Sequence, residues 1–94
     1  MSGIDILGTG CYAPSHTLSN DDLSTMVDTS DEWIYPRTGI KKRHISQTEN
    51  TSELAYQAAK KALENSGASK EDIGFIIVAT CSADHIMPSV ACML

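Results

Sequence analysis

The sequence is short of basic residues, and that shortage excludes several classes of function. Seven Lys and Arg face twelve Asp and Glu among 94 residues, which gives a formal net charge of −5. An acidic chain is a poor candidate for general binding to nucleic acid or to an anionic membrane surface. No stretch approaches the roughly 20 apolar residues that span a bilayer, and the first residues lack the basic and apolar regions of a secretory signal. We therefore expect a cytoplasmic location, with no nucleic acid and no membrane as partner.

Cysteine is scarce and irregularly spaced. The three cysteines, Cys11, Cys81 and Cys92, are odd in number and form no CxxC pair. This argues against a disulfide framework or a zinc ribbon, and in the cytoplasm the thiols should stay reduced. Cys81, His85 and Cys92 together would be one ligand short of a closed zinc site. Neither a metal nor a cofactor is expected, and the cysteines are predicted to be core or strand-end residues.

What is present is an ordinary globular composition. Apolar residues make up 41% of the chain and charged residues 20%, which is typical of a folded protein. A chain of this length has room for one small domain. Acidic residues are frequent over 21–32, and four of the seven basic residues follow over 37–43. The basic run at 41–43 is predicted to be a solvated face.

The first residues predict a strand. Ile4 and Ile6 alternate with polar neighbours within residues 3–12, and alternation is the sequence pattern of a strand. Gly8 and Gly10 weaken the strand and indicate a bulge or a close approach of another backbone.

Two helix starts follow. The stretch Ser19-Asn20-Asp21-Asp22 indicates a helix start, because a capping residue is followed by acids that suit the positive end of the helix dipole. The apolar residues that continue this helix at helical spacing are Leu23, Met26 and Val27. Thr29 with Glu32 fits the capping box of a second short helix that carries Trp33. Pro36 should end that helix early.

The clearest helix spans residues 51–66. Its apolar stripe recurs at helical spacing and consists of Leu54, Ala55, Ala58, Ala59, Ala62 and Leu63. Asn50 suits its N-terminus and Gly67 its C-terminus. Because the stripe is mostly alanine, the helix should pack close to whatever covers it.

The last third predicts a buried strand and the start of another helix. Residues 75–79 are a short, continuous, largely β-branched apolar run, typical of a strand buried on both faces of a parallel sheet. Strand, helices and strand together predict an α/β fold with a right-handed crossover. Pro88 fits the first turn of a helix, which the chain barely begins.

Several stretches resemble one family over essentially the whole chain. Residues 26–45 read MVDTSDEWIYPRTGIKKRHI, and the shorter stretches 7–10 (LGTG), 72–80 (DIGFIIVAT) and 88–92 (PSVAC) match as well. These motifs closely resemble the N-terminal portion of β-ketoacyl-acyl-carrier-protein synthase III. Two positions depart from the family pattern: Pro36 stands where a small or polar residue is usual, and Lys41 where arginine is common.

The resemblance implies an enzyme much longer than 94 residues. It implies a homodimer with the five-layer αβαβα thiolase fold, and residues 1–94 would be the N-terminal part of its first half-domain. An acyl group, usually acetyl, would move from coenzyme A to a cysteine and then condense with malonyl-acyl-carrier protein, with loss of carbon dioxide. The catalytic cysteine, histidine and asparagine of the family would lie beyond Leu94. Cys92 matches a structural helix instead and is not expected to be the nucleophile.

Four positions carry over from the family's binding sites. Trp33 matches the residue that stacks on the adenine of coenzyme A, Arg37 a contact to the nucleotide and its phosphates, and Thr29 a polar contact near the adenine. An aromatic plane and a guanidinium fork suit these tasks. Met87 matches a position that lines the acyl pocket of the neighbouring subunit, where its size would help to select the acyl group.

Two alternatives stay open. A related condensing enzyme could load a different acyl group for a polyketide-type product while keeping the same fold. Residues 1–94 alone could also be an inactive fragment, or a structural half that needs a partner chain.

Overall fold

A computed structural model describes residues 3–94, and the chain divides into two compact units. One unit contains the segment up to Tyr12 together with Glu49–Leu94, and we call it the long-helix unit. The other contains Ala13–Thr48, and we call it the hairpin unit. Among the described residues, none of the helices is both long enough and apolar enough to cross a membrane.

The hairpin unit is built on two short strands that the sequence did not predict. Strands β1 (Thr17–Ser19) and β2 (Lys42–His44) pair in antiparallel register, with Leu18 opposite Arg43. Between them the chain forms helices α1 (Asn20–Ser24) and α2 (Asp31–Thr38). The strands have three residues each and no long apolar alternation, so their local pattern is too weak to indicate pairing.

Helix α1 begins where predicted and ends earlier. Ser19 is the N-cap, and it forms a reciprocal capping box with Asp22. Thr25 already closes the helix, so the prediction of a helix that continues to Val27 was wrong. The hydroxyls of Ser24 and Thr25 bond to carbonyl groups three residues earlier, and such local bonds compete with helix propagation.

Helix α2 differs from its prediction in its N-cap residue and in its length. Its N-cap is Ser30, whose hydroxyl accepts a bond from the Trp33 N–H, and not Thr29, so Glu32 is not the N3 partner of a capping box. The helix also continues through Pro36 to Thr38. A proline in a short helix removes one backbone bond, and here the flanking turns retain theirs. Gly39 ends the helix with φ of 73°, as the Thr-Gly turn indicates.

Helix α3 (Thr51–Ser66) has the predicted bounds. Gly67 ends it in the left-handed conformation, with φ of 74°, and the prediction of its C-terminus is confirmed. Asn50 occupies the N-cap position, but its side chain makes no capping bond to a backbone N–H of the helix. A short 3₁₀ turn, Lys70–Asp72, follows with its own capping box from Ser69.

The close approach predicted for the early glycines is confirmed. A Cβ atom added at Gly8 would lie 2.8 Å from the Ala62 carbonyl oxygen, and one added at Gly10 would lie 2.5 Å from that of Ala58. Real Cβ atoms do not come so near. The segment therefore crosses the small-residue face of α3 with backbone against backbone.

The prediction of two strands in the long-helix unit was wrong. Residues 3–12 and 73–80 contain no assigned strand, and Phe75 and Ile77 are 82% and 83% exposed. A strand is defined by the ladder bonds of a neighbour, and a run of β-branched residues becomes buried only when other layers cover it. The predicted crossover therefore does not form a sheet within residues 3–94.

The C-terminal helix is present but begins later than expected. Helix α4 (Val90–Met93) has Ser89 as its N-cap, so Pro88 precedes the helix instead of lying in its first turn. Val90 is buried. The three cysteines are free and exposed, which corrects their prediction as core or buried residues.

The loop before α4 is attached to the start of α3. Asp84 accepts a bond from the Ser52 N–H at 3.0 Å and another from the Ser52 hydroxyl. Thr51 also donates its hydroxyl proton to the carbonyl of Ser82 at 2.5 Å. Asp84 thus supplies the capping acceptor that Asn50 does not.

This cap predicts a pH-dependent stability. The Ser52 hydroxyl, aided by backbone N–H groups and the charge of His85, holds the pKa of the Asp84 carboxyl below its usual value. The stabilisation should be complete above the unfolded carboxyl pKa of about 3.9 and disappear as pH falls through the lower folded pKa. Asp84→Ala should therefore lower the free energy of unfolding at neutral pH, and the difference from the wild type should shrink in acid.

Urea unfolding at several pH values measures this difference. Asp5→Ala is the matched control because Asp5 is an exposed carboxylate of the same unit, and it should leave the neutral-pH stability nearly unchanged. A loss from Asp84→Ala that is the same at every pH would contradict the capping role of the charge.

Candidate functional site

Helix α2 brings two predicted site residues together. Trp33 and Arg37 lie one helical turn apart, and the Arg37 guanidinium carbon is 4.4 Å from the centroid of the indole. Arg37 also donates a bond of 2.9 Å to the Trp33 carbonyl oxygen. Trp33 remains 56% exposed. The pair therefore presents a large aromatic plane beside a permanent positive charge.

Pro36 does not separate this pair. Because α2 continues through the proline to Thr38, Arg37 keeps its position four residues after Trp33, where side chains on one helix face meet. A guanidinium has five N–H donors in a planar fork. The bond to the Trp33 carbonyl uses one of them, and binding of a phosphate does not require that bond to break.

Thr29 lies just before the helix that carries the pair. It is half-buried, and its backbone N–H donates to the Val27 carbonyl at 2.9 Å. The following residue, Ser30, caps α2. Thr29 is therefore at the entrance to the helix, and Trp33 and Arg37 are on it.

A buried polar cluster holds both ends of α2. Asn20 is 1% exposed, and its amide group donates 2.7 Å bonds to the carboxylate of Asp31 and to the carbonyl of Ile40. Its amide oxygen accepts a 2.6 Å bond from Arg43, which also donates to the Leu18 carbonyl at 3.1 Å. We call Asn20, Asp31 and Arg43 the Asn20 cluster.

The sequence reading missed this cluster. The sequence placed Asn20 among helix-start residues and Arg43 in a solvated basic run. Lys41 and Lys42 are exposed as predicted. Arg43 is instead half-buried and hydrogen-bonded. A single Asn or Arg has no periodic pattern that marks it as buried. Only the folded hairpin unit reveals the partners.

Met87 lies in the long-helix unit and is 85% exposed. The same unit contains an open, largely apolar groove of about 960 Å³ along α3. None of the four predicted site residues lines this groove, and we assign no site to it.

The chain is similar to known proteins in both sequence and structure. No protein-family model matches the chain. Over all 94 residues the chain is 53% identical to the β-ketoacyl-[acyl-carrier-protein] synthase III of Clostridium acetobutylicum, and over 92 residues it is 52% identical to that of Clostridium botulinum. The chain spans only 29% and 28% of the length of these relatives.

Solved structures agree with the sequence matches. The 3-oxoacyl-[acyl-carrier-protein] synthase III of Aquifex aeolicus superposes with a TM-score of 0.93 at 48% identity, over 97% of this chain and 30% of that one. The enzyme of Thermus thermophilus has a TM-score of 0.85 at 39% identity, over 94% and 28% of the two chains. A priming β-ketosynthase from the R1128 polyketide pathway has a TM-score of 0.88 at 31% identity, over 94% and 27%.

The fold is therefore that of the corresponding part of the thiolase-fold condensing enzymes. The resemblance predicted from the sequence motifs is confirmed: over its whole length the chain is similar to part of the β-ketoacyl-acyl-carrier-protein synthase III enzymes.

Proposed function

We propose that these 94 residues are part of a β-ketoacyl-acyl-carrier-protein synthase III, the enzyme that starts fatty-acid chains. In this reaction a cysteine thiolate attacks the thioester carbonyl of acetyl-coenzyme A, or of another short acyl-coenzyme A, and coenzyme A leaves as its thiol. Malonyl-acyl-carrier protein then loses carbon dioxide, forms the new carbon–carbon bond with the acyl group, and frees the cysteine. We place the catalytic cysteine, histidine and asparagine of this activity outside residues 1–94.

The role of this chain in the proposal is to bind the nucleotide end of coenzyme A. The observation that carries it is the exposed Trp33 plane with the Arg37 guanidinium stacked beside it. Adenine would stack on the indole, the guanidinium would bond the phosphates, and Thr29 would contact the base from the entrance of α2. We further propose a cytoplasmic homodimer in which Met87 lines the acyl pocket of the neighbouring subunit.

Replacement of the indole tests the proposed nucleotide site. Base stacking on an aromatic side chain contributes about 1–3 kcal/mol, so Trp33→Ala should weaken coenzyme A binding by about 5- to 150-fold. Tyr35→Ala is the matched control, because Tyr35 is an exposed aromatic residue of the same helix with Lys41 5.0 Å from its ring. Isothermal titration of the full-length protein should show only a small change for this control. Equal losses from both variants would contradict the assignment to Trp33.

Condensation assays test the activity itself. The full-length protein should condense acetyl-coenzyme A with malonyl-acyl-carrier protein, and no product with that acceptor would refute the proposal. A priming enzyme of polyketide synthesis is the second candidate, since one solved relative is such an enzyme. Its identity of 31% is well below the 53% of the fatty-acid enzyme, and strong preference for a longer acyl-coenzyme A would favour it.

A further inference from the structure

Helix α2 carries the Trp33–Arg37 pair but has little apolar packing to hold it. None of its eight residues is buried, and at about 1.5 Å per residue the helix is only about 12 Å long. Isolated helices of this length are unstable in water. The orientation of the pair must therefore depend on polar bonds at the helix ends.

Asn20 supplies those bonds at both ends at once. One amide hydrogen is donated to Asp31, the first residue of α2, and the other to the carbonyl of Ile40, just after the helix. The backbone N–H of Asn20 also donates to the Lys41 carbonyl at 2.9 Å. Both side-chain amide hydrogens of Asn20 are therefore bonded, one to α2 and one to the residue range just after it.

Arg43 fixes the direction of the Asn20 side chain. A guanidinium can only donate, so the atom of Asn20 that it meets at 2.6 Å must be the amide oxygen. The amide nitrogen then faces the two acceptors, Asp31 and Ile40. Because Asn20 is 1% exposed, water does not compete for these bonds, and each lost bond would leave a buried polar group unpaired.

We infer that Asn20 is a positioning residue of the nucleotide site, which clamps the two ends of α2 and so sets the orientation of Trp33 and Arg37. The inference rests on the proposed function, since it assigns the pair to coenzyme A. Asn20 itself would not touch the ligand. Its loss should let α2 tilt and fray, which weakens recognition of the nucleotide while the thioester end of the substrate is unaffected.

Asn20→Asp is the sharpest variant for this inference. It preserves size and the acceptor for Arg43, but it replaces the amide donor with an oxygen that cannot bond Asp31 or Ile40. The measurement is the ratio of kcat/KM for acyl-coenzyme A to kcat/KM for the same acyl group on pantetheine, which lacks the nucleotide. In the full-length protein we expect this ratio to fall about tenfold, chiefly through KM for acyl-coenzyme A.

Two further variants separate positioning from folding. Asn65→Asp is the matched control, because Asn65 also donates an amide hydrogen to a carbonyl, that of Thr9 at 2.8 Å, in the other unit; its ratio should not change. Adding Asp31→Asn to Asn20→Asp reverses donor and acceptor at the start of α2, and it should recover part of the lost ratio. If Asn20→Asp gives no folded protein, Asp31→Ala, which removes the same bond, is measured in its place.

The outcomes distinguish this inference from the proposed function. If Trp33→Ala lowers the ratio and Asn20→Asp does not, the clamp is wrong and the nucleotide site stands. If both substrates lose activity equally in Asn20→Asp, the residue serves only stability and the inference is overturned. If Trp33→Ala leaves the ratio unchanged, the proposed site itself fails.

Discussion

Gly10→Ala should destabilise the protein by about 3 kcal/mol, the upper part of the range for overpacking in a closely packed site. The new Cβ atom would meet backbone atoms of α3, including the Ala58 carbonyl oxygen at 2.5 Å. Backbone cannot move aside as a flexible side chain does, so the segment and the helix must separate. Urea unfolding of the purified protein measures the loss as a lower midpoint with an unchanged slope.

Gly74→Ala is the matched control for this substitution. Gly74 belongs to the same unit, and a Cβ atom there meets nothing within 4 Å. Alanine should leave stability unchanged or raise it slightly, because it reduces the freedom of the unfolded chain. A similar loss from both substitutions would mean that the close approach of residues 8–10 to α3 does not hold in solution.

Arg43→Met should cost about 2 kcal/mol, the typical loss when a charged hydrogen-bond partner is removed and leaves an acceptor buried. The change removes both side-chain bonds of the guanidinium and leaves the buried amide oxygen of Asn20 without its donor. Methionine preserves much of the aliphatic length, so the loss should come from the bonds. The free energy of unfolding by urea is the measurement.

The neighbour Lys42 provides the control for charge. Lys42→Met removes one positive charge from the same strand at an exposed position, and exposed substitutions usually stay within about 0.5 kcal/mol. Arg43→Lys should give an intermediate loss, since an ammonium does not offer the planar fork that reaches two acceptors. A loss from Lys42→Met as large as that from Arg43→Met would indicate an effect of net charge alone.

The residues of the candidate site divide between those that sequence could indicate and those that it could not. Trp33 and Arg37 were predicted from a family motif, and the structure places them in contact on one helix. Asn20 and Arg43 belong to the same region but were given other roles, because their bonds join them to partners 11 to 25 residues away. A sequence motif gives the identity of residues, and it does not show which of them form hydrogen bonds with one another.

Local pattern determined α3, its glycine end and the capped start of α1, because helix bonds and caps join residues at most a few positions apart. The motifs determined the resemblance to β-ketoacyl-acyl-carrier-protein synthase III. The tertiary structure alone decided the rest: the β1–β2 pairing, the buried Asn20 cluster, the cap that Asp84 supplies to α3, and the absence of strands at 3–12 and 73–80. Each of these depends on a distant partner, and a strand without a neighbour, however apolar, has no ladder bonds to form.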